Sequence, residues 1–405
     1  MTIIPEIKVA DFDYDLPDSR IAMHPLPKRE DSKLLVYKDG NIIHEHFYDI
    51  ANYLPTQTLV LFNNSKVVNA RLNFRRETGA EIEIFCVNKA EEYETKYNES
   101  YWYCLIGNVK KWRIEETLVR ETLLYNAKIK LEANFIKKVD NYFIVKFTWN
   151  SNHSFYELLE MFGLVPLPPY IKRHNEISDR KRYQTVYAKQ NGSVAAPTAG
   201  LHFTDDILHK LTEKKCIIDE LTLHVGAGTF MPMKHDTANE HIMHPEKIIV
   251  TAKNINNIIH QLDYQYPIAA TGTTACRTLE SLYWIGIKIL NNKFENHGLL
   301  LDQWEPYQLD NTIAPIKSLE AIILYMQKND IQYIEGNTKM MIVPGYNFKL
   351  TNILITNFHQ PSSTLLMLVS AFTGGQWRDI YKSALENDYR FLSYGDGSIL
   401  FKSEE

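Results

Sequence analysis

Between about residue 58 and residue 150 the chain alternates apolar and polar positions with a partial period of two. The stretches TLVLFNNS, AEIEIFCV, SYWYCLIG, AKIKLEA and NYFIVKFTW are rich in β-branched and aromatic residues, and polar turns separate them. Such alternation turns every second side chain to one face, so each stretch reads as a strand. Several short strands at this spacing predict a small antiparallel barrel or sandwich. The pattern then changes. SFYELLEMFGLVPLPPYI reads as a helix that stops before a proline cluster. Beyond it IIDELTLHV, PIAATG and NILITNFH read as strands, while DDILHKLTEKK, TACRTLESLYWIG and STLLMLVSAF read as helices. This alternation predicts βα units on a largely buried sheet. The β-rich part is then an insertion in, or a neighbour of, an α/β body. A further helix, SLEAIILYMQK, lies between polar connections in residues 287–335.

Composition adds limits. A chain of 405 residues suggests two domains. Its four cysteines, Cys86, Cys104, Cys216 and Cys276, form no Cys-x-x-Cys pair, which argues against a zinc ribbon and a secreted disulfide framework. The N-terminal stretch MTIIPEIKVADFDYDLPD has no basic flank and no apolar run, and no later segment is apolar for the length of a bilayer. A cytoplasmic protein with no membrane partner is the expectation. The formal net charge of −5 lowers the case for nonspecific nucleic-acid binding without excluding a local basic patch. Three basic triplets qualify: Arg71, Arg75 and Arg76; Lys110, Lys111 and Arg113; Arg180, Lys181 and Arg182. For any one alone a solvated surface turn is the simpler reading.

Four junctions share one layout, with small or polar residues between an extended segment and the next element. AAPTAGLHFTDD places His202 before Thr204, a helix cap followed by Asp205 and Asp206 at the positive end of the dipole. LTLHVGAGTF ends a strand at His224 before Gly226 and Gly228. ATGTTACRTLES puts Gly272, Thr273 and Thr274 ahead of a helix, with Arg277 one turn in. Free N–H groups at such a helix start, with a nearby arginine, suit a carboxylate or phosphate. NFHQPSSTLLMLV ends a strand at His359, and Ser363 caps a nearly all-apolar helix. Ligands of α/β sheets collect at the carboxyl ends of strands, so a shared rim would bring His202, His224 and His359 to one pocket. Each signal also has a plain structural reading, as a tight turn, a cap or a core histidine. Gly-Ala-Gly fits the dinucleotide fingerprint poorly, because Pro232 follows too soon for a helix. The EHIMHPE stretch offers His241, His244 and Glu246 as metal ligands, but Pro245 interrupts the helical face they would need.

Longer motifs carry a resemblance. From DFDYDLP at Asp11 to SYGD at Ser393, the chain is similar to the S-adenosylmethionine:tRNA ribosyltransferase-isomerase family of queuosine biosynthesis. The motifs are RYQTVYAKQNGSVAAPTAGLHF, LTLHVGAGTF, RTLES after GTTAC, PGYNF, NFHQPSSTLLMLVSAF and YRFLSYGD. The resemblance implies an α/β, barrel-like body of residues 1–65 and 151–405, with a small antiparallel β-barrel inserted at residues 66–150. It implies a transferase that moves the ribosyl part of S-adenosylmethionine to 7-aminomethyl-7-deazaguanine at the tRNA wobble position. The ribosyl unit rearranges to an epoxycyclopentanediol, giving epoxyqueuosine-tRNA, while adenine and methionine leave. No metal or other cofactor is expected, since the sulfonium supplies the activation, and a monomer is the family expectation.

The positive sulfur acidifies the adjacent 5′ carbon, so a base can remove a proton there. An acid then assists adenine departure, and a base frees the tRNA amine. Histidine suits such two-way traffic near neutral pH. The expected proton carriers are His202, His224 and His359, with Asp396 as an orienting or basic group. Gly226, Gly228, Thr229, Gly272, Thr273, Thr274 and Arg277 are expected at S-adenosylmethionine, and Tyr183 and Gln184 at the tRNA base. The chain departs from the common family pattern in places. Asn63, Asn64, Ser65 and Lys66 stand where an Asn-Asp-Thr run is usual, so Asn64 receives no catalytic duty. Pro361, Ser362, Ser363 and Thr364 replace Pro-Lys-Ser-Thr, and Met243, His244, Pro245 and Glu246 replace Met-His-Ser-Glu. Two rivals remain open: an RNA methyltransferase, which would release S-adenosylhomocysteine, and a noncatalytic RNA-binding protein, which would show no turnover.

Overall fold

The computed structural model describes residues 6–124, 127–226, 233, 235–293 and 299–402. Its centre is the strand Leu59–Asn63, every residue of which is buried. That strand is flanked in parallel by Ile217–His224 on one side and Ile268–Thr271 on the other, and Ile353–Asn357 comes next, again parallel. Runs such as LVLF and ILIT are apolar on both faces, as strands covered from both sides must be. Outward from this core the pairing turns antiparallel at Glu246–Thr251 on one side and at Gly397–Phe401 on the other. Tyr333–Thr338 and Leu299–Leu301 complete the first flank, Lys33–Lys38 and Asn41–His46 the second.

The ten strands therefore form one open, mixed sheet, and the barrel-like body expected from the resemblance is corrected. A βα barrel needs every neighbour parallel; here four antiparallel pairings interrupt the parallel core, and among the described residues nothing hydrogen-bonds the two edges together. Helices Asp205–Glu213, Ala252–Asp263, Thr273–Leu290, Pro315–Lys328, Thr364–Phe372 and Trp377–Glu386 belong to this part of the chain. Thr204 caps the first through Ile207 N, and Ser363 caps the fifth through Leu366 N, as their sequence positions predict.

The second sheet has six antiparallel strands in the order Arg71–Arg75, Glu81–Lys89, Glu99–Gly107, Tyr142–Trp149, Ala127–Val139 and Leu118–Leu124. Its two end strands approach each other, with Arg120 Nη1 donating to Asn73 O at 3.1 Å, so the sheet nearly closes on itself. Leu72, Phe74, Ile82, Ile84, Trp102 and Phe147 build its separate core. The helix Phe155–Phe162 contributes four more buried side chains, so this packing continues past residue 150. The strands Arg71–Arg75 and Leu118–Leu124 are not among the apolar stretches that the sequence pattern marks. Among the described residues no helix is long and apolar enough to cross a membrane.

Candidate active site

The carboxyl ends of Ile268–Thr271 and Ile353–Asn357 open into one pocket. Its walls are the 195–199 loop, Val225, the Gly272–Thr274 turn, Thr356, Asn357, His359, the start of the Thr364–Phe372 helix, and Leu392 with Ser393. Two helix N-termini thus face the same space. Gly272 precedes the longer one at φ +90°, a left-handed conformation that favours glycine, and it supplies no side-chain cap. The first-turn N–H groups of Thr273–Leu290 have no intrahelical acceptor, and Gly272, Thr273 and Thr274 line the cavity. Thr274 Oγ1 and Asn357 Oδ1 are buried without a hydrogen-bond partner among the described residues. Leu392, also in the wall, is held at φ +69°, a conformation that costs on the order of 1 kcal/mol for a bulky side chain. The helix-start N–H groups and the Thr274 hydroxyl are donors that suit an anionic group, whereas Asn357 Oδ1 can only accept a hydrogen bond.

His359 contributes its ring to this pocket. Its Nε2 lies 2.9 Å from Thr356 Oγ1, and its backbone N–H donates to Tyr381 Oη at 3.0 Å. Nδ1 has no hydrogen-bond partner among the described residues. Burial pushes the ring down to about 3, so it is neutral near pH 7. The Thr356 hydroxyl can donate or accept, so it tolerates either neutral tautomer and lets Nδ1 act as acceptor or donor.

His202 behaves differently. It ends the short helical turn Thr198–His202 and lies behind Asn357. Its Nδ1 is 2.8 Å from Ser32 Oγ and its Nε2 is 3.1 Å from Asn357 Nδ2, so both ring nitrogens are engaged. Ser32 in turn donates to Arg29 O at 3.1 Å. Burial again brings the ring to about 3. Gly200, in the same loop, serves packing: a Cβ there would come within 1.8 Å of Tyr187 Oη.

The remaining expected residues do not converge on the pocket. His224 lies against Gly192, with Nδ1 unpartnered among the described residues and its proton affinity lowered by burial and by Lys247. Val225, its neighbour, lines the pocket, and successive strand side chains point to opposite faces. Asp396 accepts from Lys33 N at 3.0 Å and Arg390 N at 2.7 Å, tying a turn rather than facing the cavity; its carboxyl is raised by burial. Arg277 is buried against Glu246 and donates to Met340 O at 3.0 Å. Gly226 N donates to Glu246 as well, at 3.4 Å. Gly228 and Thr229 lie outside the described residues. Gln184 is held by both ends, accepting from Val67 N and donating to Val67 O. Tyr183 is buried edge-on to Tyr394, with ring centroids 5.7 Å apart. Among the described residues no group of three His, Cys, Asp or Glu side chains is arranged to hold a metal.

Sequence reasoning passes over Asn357, Thr356 and Ser32, which set the orientation of both buried histidines. Asn357 and Thr356 stand inside NILITNFH, where the pattern reads only as strand. Nothing local marks Ser32, whose partner is 170 residues away.

The architecture is that of a mixed α/β protein whose strand ends and helix starts line one pocket together with a buried histidine. The family model described as "Queuosine biosynthesis protein" matches residues 9–400. Two relatives named S-adenosylmethionine:tRNA ribosyltransferase-isomerase, from two strains of Rickettsia bellii, are each 36% identical over 98% of this chain and 99% of the relative. The chain belongs to this queuosine biosynthesis family. A crystal structure named S-adenosylmethionine tRNA ribosyltransferase, from Thermotoga maritima, is 25% identical with a TM-score of 0.46, over 96% of this chain and all of that one.

Proposed function

We propose that this chain transfers and isomerises the ribosyl moiety of S-adenosylmethionine onto 7-aminomethyl-7-deazaguanine at the tRNA wobble position, releasing adenine and methionine. Family membership supports the reaction, and the pocket under two helix N-termini is the observation that supports the site. The Gly272–Thr274 turn receives the carboxylate of the methionine part, where N–H groups and the dipole favour negative charge. His359 is the proton carrier, because it alone of the three expected histidines lines the pocket with a ring nitrogen free among the described residues. Its neutral ring takes a proton from the 5′ carbon that the sulfonium acidifies, and returns one toward the departing adenine. His202 positions Asn357 from behind. Residues 66–150 form an inserted domain whose core also takes in the helix Phe155–Phe162, and the rest of the chain forms the body. S-adenosylmethionine is consumed as donor, with no further cofactor.

The experiment incubates the protein with S-adenosylmethionine and tRNA carrying the deazaguanine precursor, and identifies products by mass spectrometry. Free adenine and methionine with epoxyqueuosine-tRNA are expected. S-adenosylhomocysteine would replace this reading with a methyltransferase, and no turnover would replace it with a binding protein.

A further inference from the structure

On the far side of His202 from the transfer pocket lies a second, smaller one. Residues 25–29 and 393–395 bound it, and three guanidinium groups line it: Arg29, Arg182 and Arg390. Neither Arg29 nor Arg182 forms an ion pair among the described residues. The nearest carboxyl to Arg390 is Asp396 at 3.9 Å, and that carboxyl already accepts two backbone N–H groups. Each arginine is instead held in place by carbonyls: Gln184 O for Arg29, Pro27 O and Leu26 O for Arg182, His24 O and Tyr394 O for Arg390. A guanidinium has five N–H donors, so donors remain on all three. Arg182 Nε is buried without any partner. Burial and the neighbouring Arg182 both weaken the hold of Arg29 on its proton, by more than the Glu30 carboxylate restores.

Two connections fix what such a cluster would hold. Ser393 lines both this pocket and the transfer pocket, so an occupant sits one side chain from the reacting ribosyl group. Arg29 also lines a groove with Lys66, Arg180 and Lys181, in whose lining Glu160 is the sole acidic residue described. The cations thus run from the groove to the edge of the transfer pocket.

We propose that Arg29, Arg182 and Arg390 form a phosphate clamp that holds one phosphodiester of the RNA substrate beside the transfer pocket. The clamp rests on the ribosyl-transfer reading and adds the backbone contact that orients the RNA. Guanidinium groups suit it because they meet phosphate oxygens through paired N–H bonds. The row of Lys66 and Lys181 receives the adjoining backbone.

The test uses an anticodon stem-loop RNA bearing the deazaguanine precursor, with a neutral methylphosphonate placed at one loop position at a time. Against the wild-type chain, one position should weaken binding by about tenfold or more, the scale of a charge-assisted hydrogen bond. The same RNA should show a smaller further loss against Arg29→Gln or Arg390→Gln, because one of the three guanidinium partners of that phosphate is already gone. Each of these variants should lower the slope of log affinity against log salt by about 0.7–0.9, while the S-adenosylmethionine binding isotherm stays unchanged. A flat methylphosphonate scan on the wild-type chain overturns the clamp, and that arm needs no variant to fold. A scan whose loss is undiminished in both variants also overturns it. Adenine release by the wild-type chain on the unmodified stem-loop separates the two readings: its absence sinks ribosyl transfer, while normal release with a flat scan sinks the clamp alone.

Discussion

The helix Thr273–Leu290 carries two buried polar stations of opposite character. At its first turn, Thr274 Oγ1 has no partner among the described residues, and the turn lines a cavity. Two turns further on, the carboxyl of Glu280 is surrounded. It accepts from Lys349 N, Leu350 N and Thr351 N at 2.8–3.0 Å, and from the hydroxyls of Tyr346 and Thr351. Both residues are at least nine-tenths buried, so burial does not separate them. Completion does. A buried polar group with every bond made is part of the scaffold; one left open beside a cavity has bonds still to offer to what enters it. The same contrast divides the histidines. His202 has partners on both nitrogens, whereas His359 keeps one toward the pocket.

The largest expected effect breaks the saturated station. Glu280→Ala strands several buried donors at once and should cost about 3–5 kcal/mol, read as a lower urea midpoint. An unchanged midpoint would mean that the 346–351 segment does not depend on this carboxyl. Next comes the histidine pair. His359→Gln should lower kcat for adenine release by roughly 10²–10⁴-fold, with little change in Tm. His202→Gln should lower Tm and disturb catalysis less. Near-normal release by the His359 variant would remove it as proton carrier, and equal behaviour of the two variants would erase the distinction.

A smaller effect comes from pH. Both His202 and His359 are brought from 6.5 to about 3 on folding. Above pH 6.5 both states carry neutral rings and the stability is fully present. As pH falls below 6.5 the unfolded chain binds protons that the folded chain refuses, so stability drops until about pH 3. The slope is up to ~1.4 kcal/mol per pH unit for each ring. Melting curves between pH 7 and pH 5 should show this decline, and His359→Gln should flatten it; an equally steep decline in the variant would show that the ring is not the source.

How much of this was legible depends on the range over which each feature is encoded. The central strands and the caps at Thr204 and Ser363 are local, and LVLF, ILIT and S-T-L-L announce them. The helix start after Gly272 was likewise readable. The convergence of three histidines was not. His224 and Val225 are adjacent in sequence, yet strand alternation sends them to opposite faces. His202 is turned inward by Ser32 and Asn357, which are 170 and 155 residues away. Arg277 looked available one turn into its helix, but Glu246, on a neighbouring strand, takes it. The open sheet escaped notice for a related reason. Whether a strand pairs parallel or antiparallel at an edge, as Gly397–Phe401 does with Ile353–Asn357, is not written in its own residues.

The smallest expected effect is the sharpest. Thr274→Val replaces the unpartnered hydroxyl with a methyl of nearly the same shape. Were that hydroxyl part of the scaffold, its loss would destabilise the chain. Since it makes no bond in the folded state, the variant should be as stable as the wild type or up to about 1 kcal/mol more so. If the hydroxyl is held open for S-adenosylmethionine, the KM for that substrate should rise about fivefold, the value of one neutral hydrogen bond. Thr278→Val is the control one turn deeper. Its hydroxyl donates to Thr274 O at 3.0 Å, inside the helix and away from the pocket. It should leave KM alone. A rise in KM for Thr274→Val with no loss of stability places the boundary between scaffold and site within a single turn of one helix; a fall in stability with unchanged KM would put Thr274 on the scaffold side, alongside Glu280.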